Sequence, residues 1–510
     1  MVLVLCIPGA LWAAPLTDRE KVGQEIYRKG TSPNGPVKAL FGKRGTKISA
    51  KFLPCANCHG SDGTGRPEGA LEPPNITWKE LTKPYGHAHS DGRKHGPFDP
   101  DSLIRVIAEG IDPADNKLHS AMPKYVLTQQ DKKALVAYLK VIDKDFDPGL
   151  TESSIKLGVI LPKSISDKNP LPSLIRGFFQ ELNNKGGIYG RKVDLVFTKP
   201  YTDTQSYVDE VKAVVAEDVF ALFGASLASA DKDIFPLLKK KNVPLITPLI
   251  MTEWTDIQRK NLRFRLLPGP VQQAQALLAF AKTQLPASSQ IAIVVPPEGN
   301  LYGQIWDTFQ AEVKRYGWPE IESADYSGDA AEIPEIVSKL AKTKSQALFY
   351  FGPPGRLTSL MKEAEKQKWR PRLYAPVRVA AREAVSLPQA FTDRVFLSAP
   401  AHPLDYRKES LAEFQQLLRK YKVPQFFQIQ SVYYYATLKV LVEGLQRSSQ
   451  KLSRAQLIES LESLSNFETG LTPKITYGSN RRTGSLGTYI LEVDLEKQRF
   501  KPGAVWVRLD

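Results

Sequence analysis

The sequence predicts a multidomain chain: an all-α N-terminal domain followed by a larger α/β domain. Three observations carry this. Residues 16–144 show helical apolar spacing at both ends. From Ser154 onward, buried-strand runs alternate with helical stretches, the pattern of α/β layers with parallel sheets. Residues 154–510 also exceed what one core of that type usually holds, so two lobes are expected. Composition agrees with a globular protein of two or three domains, 42% hydrophobic and 24% charged over 510 residues.

Residues 1–14 are apolar and small, run into Ala13-Ala14-Pro15 and are too short to span a bilayer as a helix. They read as the apolar region and small-residue end of a secretory signal. No Lys or Arg precedes them, so the natural start is expected upstream; Pro15 is a poor neighbour for cleavage, and an uncleaved segment would tether the chain to a membrane. Leu5 before Cys6 does not fit a lipoprotein site. No other stretch reaches about 18 uninterrupted apolar residues, so the mature protein is expected to be soluble and periplasmic. Net charge is +15, with 69 Lys and Arg against 54 Asp and Glu. That charge is spread thinly, without an aromatic-interleaved basic stripe, and excludes nucleic acid as a partner. The densest run (Lys38, Lys43, Arg44, Lys47 and Lys51) reads as a solvated loop, with steering of an acidic redox partner as the competing reading.

Asp18-Arg19-Glu20 opens a helix, Gly23 and Tyr27 stand one turn apart on it, and Gly30 ends it. Cys55-Ala56-Asn57-Cys58-His59 is the most specific feature of the chain. Two thiols three positions apart, followed at once by an imidazole, are what covalent haem attachment requires. The thiols add across two vinyl groups and the histidine faces the iron. A thioredoxin-like pair would sit where a strand enters a helix, whereas Pro54 precedes this one and Gly60-Ser61-Asp62-Gly63-Thr64-Gly65 follows. A zinc site would want a second ligand pair, and Cys6 is the one other cysteine. Five of the six histidines (His59, His87, His89, His95 and His119) lie in the first quarter of the chain, and Met122 is the one methionine of the first 150 residues besides Met1. A thioether is the expected sixth ligand of an electron-transfer haem. Asp101 to Gly110 reads as a short amphipathic helix. Thr128, with Asp131 three residues on, caps another that runs through Leu135, Val136, Tyr138 and Leu139.

These residues resemble a class I cytochrome c: Cys55-x-x-Cys58-His59-Gly60, Asp62-Gly63-x-Gly65, Pro73-Pro74-Asn75-Ile76-Thr77, Ala121-Met122-Pro123, and the Gly23/Tyr27 face that crosses the helix bearing Tyr138. The resemblance implies a cytochrome c domain over 15–148 with one covalently attached haem c. Cys55 and Cys58 would form the thioethers, with His59 as proximal and Met122 as distal iron ligand. The segment between Thr82 and Pro100 reads as a surface loop whose His87, His89 and His95 are alternative ligands.

In the second region, strand-like runs stand at Ile155–Leu161, Val193–Phe197, Ala221–Phe223, Leu245–Ile246, Ile291–Val295, Ala347–Phe351 and Val395–Leu397. A β-rich tail covers Thr472 to Leu509. Gly186-Gly187 follows a helix and no Gly-x-Gly-x-x-Gly is present, so nucleotide binding is not indicated. The stretch Glu181-Leu182-Asn183-x-x-Gly186-Gly187-Ile188-x-Gly190-Arg191-Lys192-Val193 is similar to the type I periplasmic binding proteins of the leucine/isoleucine/valine kind. So are Phe223-Gly224-Ala225-Ser226, Val243-Pro244-Leu245-Ile246-Thr247-Pro248 and Tyr302-Gly303-Gln304. The resemblance implies two Rossmann-like lobes over 154–510, one of about 154–268 and 398–470, the other of about 269–397 and 471–510, with a ligand cleft between them. Ser226 and Ser229 then match a serine loop, Thr247 stands just before a hydroxyl-bearing loop, and Tyr302 matches an aromatic contact. The match departs at Leu249-Ile250-Met251 and Pro162-Lys163-Ser164-Ile165, and no acid is assigned to a ligand ammonium. The implied ligand is an apolar or aromatic small molecule rather than an ordinary branched-chain amino acid.

No Ser/His/Asp, Cys/His or metal-hydrolase constellation appears in 154–510, where His402 is the one histidine, so the chain is not expected to be an enzyme. The expectation is a periplasmic c-type cytochrome that transfers one electron at a time. Its second domain would dock a partner or sense a solute, and a periplasmic dehydrogenase or another cytochrome would serve as redox partner. The alternative is a solute receptor for an ABC permease or a sensor, with an accessory haem domain.

Overall fold

The computed structural model describes residues 16–42, 44–65, 72–89, 91–162, 170–225, 227–248, 262–297, 300–424, 428–450 and 452–509. The expected signal segment lies outside them. The chain divides into two compact units, Met1–Asp147 and Pro148–Asp510. Asp145 is bound into the first by Arg28, Gln24 and Tyr138. Gly149 is bound into the second, where its carbonyl accepts the Lys156 N–H at 2.7 Å.

The first unit runs α1 (Asp18–Lys29), β1 (Lys38–Phe41), β2 (Thr46–Ser49), α2 (Cys55–His59), α3 (Trp78–Leu81), β3 (His87–Ala88), β4 (Lys94–His95), α4 (Pro100–Glu109), β5 (Lys124–Val126) and α5 (Gln129–Leu139). Thr17 and Glu20 form a capping box at the start of α1, and Gly30, at φ 64°, ends it. The predicted Thr128 cap is present: its hydroxyl accepts the Asp131 N–H at 3.1 Å. Helices α1 and α5 cross at Gly23, where a Cβ would stand 2.1 Å from the Ala134 carbonyl oxygen. That contact brings the Tyr27 and Tyr138 rings to 5.6 Å.

The helical unit also carries an antiparallel sheet of order β2-β1-β5 that the sequence did not announce. Part of the basic run is therefore strand rather than loop: Lys38 lies in β1 and Lys47 in β2. Ala39 pairs with Ile48 and Tyr125, and Ala39 and Tyr125 are buried, so burial of one strand face offsets the solvation that the lysines favour. The expected histidine loop is likewise a hairpin, β3 against β4, pairing His87 with His95. The His87 and His95 rings stack at 4.7 Å. His95 Nδ1 lies 2.7 Å from the Gly96 carbonyl and must donate to it, so its Nε2 accepts from His89 Nε2 at 2.9 Å.

The second unit begins with a five-stranded sheet of order β10-β9-β8-β6-β7, formed by β6 (Ser154–Ile160), β7 (Lys192–Phe197), β8 (Ala221–Gly224), β9 (Leu245–Thr247) and β10 (Arg263–Arg265). All four strand pairings are parallel. Helices α6 (Leu171–Asn184), α7 (Thr204–Ala216) and α8 (Asp231–Lys241) connect the strands. The second lobe alternates α9 (Pro270–Gln284), β11 (Ile291–Val295), α10 (Asn300–Tyr316), β12 (Glu322–Asp325), α11 (Ile333–Lys342), β13 (Ala347–Tyr350), α12 (Leu357–Lys366), β14 (Arg372–Pro376), α13 (Val377–Ala384) and β15 (Val395–Ala399). Its parallel order β12-β11-β13-β14-β15 is extended by antiparallel β16 (Gly487–Asp494), flanked by β17 (Arg499–Phe500) and β18 (Val505–Arg508). Between β15 and β16 the chain returns to the first lobe through α14 (Lys408–Lys420), α15 (Gln428–Arg447) and α16 (Arg454–Glu462).

Three chain passages thus join the lobes, and hydrogen bonds tie them together. Arg265 N–H donates to the Arg482 carbonyl at 2.8 Å, and Arg407 N–H to Gly470 at 2.8 Å. Arg454, 3% exposed, anchors the first lobe by donating to the carbonyls of Phe220, Val219, Lys241 and Pro148 at 2.7–3.2 Å. Among the described residues no helix is long and apolar enough to cross a membrane.

Two outcomes follow for the first unit. Gly23→Ala should force α1 from α5 and destabilise that unit by about 1–3 kcal/mol, read as a lower melting temperature by circular dichroism. Burial lowers the pKa of both His87 and His89 below the ordinary 6.5, so the folded state favours the neutral rings and the unfolded state binds more protons below that pH. Their contribution is complete above about pH 6.5 and is lost as pH falls through the lowered folded values. Melting temperature should therefore drop on acidification below pH 6.5, and the drop should be shallower in His87→Gln/His89→Gln.

Candidate cofactor site and ligand crevice

Pro54 opens the short helix α2, whose spacing puts Cys55 and Cys58 on one face and His59 at its end. The His59 ring is 5% exposed, and its Nδ1 lies 3.0 Å from the Pro74 carbonyl. A carbonyl can only accept, so Nδ1 carries the proton and Nε2 carries the lone pair, the tautomer that ligates a metal. Burial lowers the His59 pKa and keeps the ring neutral. Burial also pushes the Cys55 thiol up to about 12, against a smaller lowering by the nearby Tyr125 hydroxyl. A protonated, buried thiol is a poor disulfide-exchange nucleophile.

The surrounding chain is knit to this helix. Tyr27 Oη donates to the Gly60 carbonyl at 2.7 Å, Gly65 N–H to His59 at 2.9 Å and Ile76 N–H to Gly63 at 2.6 Å. Gly65, at φ 82°, admits the Pro73 carbonyl oxygen to within 2.0 Å of where a Cβ would stand. That close approach delivers Pro74 to His59. Met122 is half-buried and packs against the same core as Cys55, Trp78 and Phe98. Strand β5, which follows it, is anchored by Tyr125 Oη donating to the Leu53 carbonyl at 2.7 Å. Tyr125 is thus a site residue that sequence reasoning passed over; the alternation Lys-Tyr-Val after Met122-Pro123 was its signal. His87, His89 and His95 are engaged with one another and with the Leu81 and Gly96 carbonyls. Among the described residues no group of three or more His, Cys, Asp or Glu side chains is placed to hold a metal ion. A neutral buried imidazole with its lone pair on Nε2, two thiols on one helical face and a thioether in the same core make a donor set that fits a c-type haem.

In the second unit, β6 leads outward to β7 and the chain then returns to β8 on the other side of β6. That reversal is a topological switch point, outside whose strand ends open α/β sheets bind ligands. The backbone acceptors there are filled by tyrosines. Tyr201 Oη donates to Leu161 at 3.0 Å, Tyr207 Oη to Ala225 at 3.2 Å and Tyr434 Oη to Ile160 at 3.3 Å. Ser229 lies at this edge with its hydroxyl 2.7 Å from that of Thr204. Thr247 is fully buried at the end of β9. Tyr302 lies in α10, at the carboxyl edge of the other sheet, half-buried against the second lobe's core. Ser226, residues 163–165 and residues 249–251 lie outside the described residues. Arg378, second residue of α13 beyond the end of β14, is a cation at that same edge that the sequence did not single out.

Comparison with known proteins agrees with both units. The periplasmic binding protein family matches residues 154–499 and the cytochrome c family residues 42–143. No curated protein matches the chain. Similar solved structures include an ABC transporter substrate-binding protein from Desulfitobacterium hafniense in complex with Leu, at 16% identity and TM-score 0.54 over 70% of this chain and 100% of that one. A branched chain amino acid ABC transporter from Thermus thermophilus with bound valine gives 15%, 0.56, 70% and 97%. A fatty acid ABC transporter substrate-binding protein from Thermomonospora curvata gives 18%, 0.53, 72% and 94%. At these identities the likeness is one of fold. The chain therefore belongs to the periplasmic binding protein family and carries a cytochrome c domain ahead of its two-lobed fold.

Proposed function

We propose that the chain is an exported, periplasmic c-type cytochrome that carries one electron at a time, and that its second domain binds a small solute. Cys55 and Cys58 would hold one haem covalently, with His59 and Met122 as its axial ligands. The observation that carries this reading is the buried His59 ring, oriented by Pro74 with its ligating nitrogen bare of hydrogen. Bound there, a haem supplies a reversible one-electron iron couple. The protein's part is to orient and to exclude water. Pro74 holds the imidazole, Tyr27 and Tyr125 hold the backbone on either side of α2, and the shared core packs against the Met122 side chain. A thioether in place of a second imidazole raises the potential, which suits a carrier accepting electrons from a periplasmic dehydrogenase or another cytochrome.

The second reading is a solute receptor, serving an ABC permease or a sensor, with the haem domain as accessory. The two-lobed domain favours it, and the related structures titled with leucine, valine and fatty acid support a small organic ligand. Neither reading requires the chain to be an enzyme. Spectroelectrochemical titration of the holoprotein separates them. The carrier reading expects the weak near-infrared band of methionine ligation and a potential indifferent to added carboxylates and amino acids. A ligand-dependent potential would join the two sites thermodynamically and favour the receptor. Met122→His should abolish that band and lower the potential on the order of a hundred millivolts, a fraction of the ~0.8 V that axial ligation spans. Cys55→Ser/Cys58→Ser should release its haem on acid-acetone extraction.

A further inference from the structure

One face of the β3–β4 hairpin gathers three imidazoles by register. His87 pairs with His95, and the ladder continues where the His89 N–H donates to the Arg93 carbonyl at 2.9 Å. Residues i and i+2 of a strand share a face with the direct cross-strand partner, so His87, His89 and His95 lie on one side of the ribbon. The backbone beneath them is clamped. Gly86, at φ 68°, lets the His95 carbonyl oxygen come within 2.3 Å of where a Cβ would stand. Asn116 Nδ2 donates to the Lys94 carbonyl at 3.1 Å. Arg93, beside the turn, is held by Asp91 at 2.7 Å and Asp112 at 3.5 Å, so carboxylates meet its charge.

On that face two ring nitrogens converge. His95 Nδ1 donates to the Gly96 carbonyl, which leaves His95 Nε2 bare of hydrogen and 2.9 Å from His89 Nε2. A carbonyl on the far nitrogen is the partner that orients a metal-ligating imidazole and raises its basicity. The two ring centroids stand 5.0 Å apart, so the nitrogens face one another. In the hydrogen-bonded pair a proton on His89 Nε2 fills the gap. A metal ion takes its place once that proton moves to His89 Nδ1, on a half-buried ring that water reaches. The imidazole stays neutral and both Nε2 atoms then present lone pairs. His87 is a wall rather than a ligand: its Nε2 donates to the Leu81 carbonyl at 3.3 Å and its ring stacks on His95 at 4.7 Å.

Donor type and spacing choose the ion. Nitrogens 2.9 Å apart span two neighbouring positions of a square or octahedral shell at metal–nitrogen lengths of about 2.0–2.1 Å, whereas a tetrahedral pair would stand about 3.3 Å apart. Two neutral imidazoles with open positions favour copper(II) over nickel(II) and zinc(II). No group of three or more His, Cys, Asp or Glu side chains is placed to hold an ion among the described residues, so water completes the shell.

We propose that this hairpin face binds one divalent late transition metal ion, copper(II) above all, through His89 Nε2 and His95 Nε2. The site goes beyond the function proposed above and uses none of Cys55, Cys58, His59 and Met122, so it stands or falls independently of the haem assignment.

Calorimetric titration of the oxidised full chain with copper(II), nickel(II) and zinc(II) chlorides tests it, with electron paramagnetic resonance of the copper-loaded protein. One copper ion should bind with a micromolar or tighter dissociation constant and show hyperfine coupling to two imidazole nitrogens. His89→Gln should weaken copper binding at least about tenfold, the scale on which a lost metal-site contact is felt. A bound copper ion coupled to fewer than two imidazole nitrogens overturns the proposal. So does copper affinity unchanged in a His89→Gln protein that melts like the parent, and so does the absence of micromolar binding. The coupling pattern is read on the parent protein and does not depend on how the variant folds.

Discussion

Everything in the haem domain hangs on the crossing of α1 over α5 at Gly23. The absent side chain lets the two helices approach until the Ala134 carbonyl occupies the space a Cβ would need. Only at that separation does Tyr27, one turn further along α1, become fully buried and reach the Gly60 carbonyl. Gly60 closes α2, so a packing contact between two distant helices sets the end of the short segment that bears Cys55, Cys58 and His59. Interiors are close-packed and resist expansion, which is why one missing methyl group is felt at the far side of Tyr27. Tyr138 carries the same constraint to the end of the domain: its hydroxyl meets Asp145 at 2.6 Å, beside the Arg28–Asp145 ion pair at 2.9 Å.

The local chemistry of this chain was legible because it is local. Cys55-x-x-Cys58-His59 needs no fold to declare its spacing, and Thr128 caps its helix through an interaction three residues long. What required tertiary structure was not legible. The sheet β2-β1-β5 escaped because its middle strand pairs with Lys124–Val126 across most of the domain, and its lysines read as solvated loop. In the second unit β12 reads Glu-Ser-Ala-Asp and β14 begins with Arg372 and ends in Pro376. Neither shows the apolar run that marked β11 or β13. Burial between β13 and β15 overrides such weak propensity in β14, and pairing with β11 does so for β12 at the sheet edge. The crevice was least legible of all. Tyr434 reaches Ile160 over 274 residues of sequence and Tyr201 reaches Leu161 over 40. Ser229, read as a ligand contact, has a hydroxyl neighbour in Thr204 that only the fold supplies.

The histidine hairpin marks the boundary between these cases. Its composition drew attention as a set of alternative iron ligands, and its backbone determines how the three rings are held. Gly96 fixes the proton on His95 Nδ1, His89 then donates to His95 Nε2, and His87 Nε2 donates to the Leu81 carbonyl at 3.3 Å. Leu81 belongs to the core that also receives Phe98, whose ring meets His95 at 4.9 Å. Three imidazoles therefore cover one side of the domain's core as stacked rings. They serve it as flat apolar surface whose polar edges are satisfied among themselves.

The same question of where charges find partners orders the second unit. A chain with 69 basic and 54 acidic side chains cannot pair every cation with an acid. Two of its buried guanidiniums turn instead to main-chain carbonyls. Arg454 takes four of them, and Arg191 takes those of Thr151 and Gln450 at 2.8 and 3.1 Å. Each clamps segments far apart in sequence, and the geometry is rigid because a planar fork leaves little rotamer freedom once several N–H groups are engaged. A guanidinium used as a clamp belongs in the dry interior, where carbonyls are in need of donors.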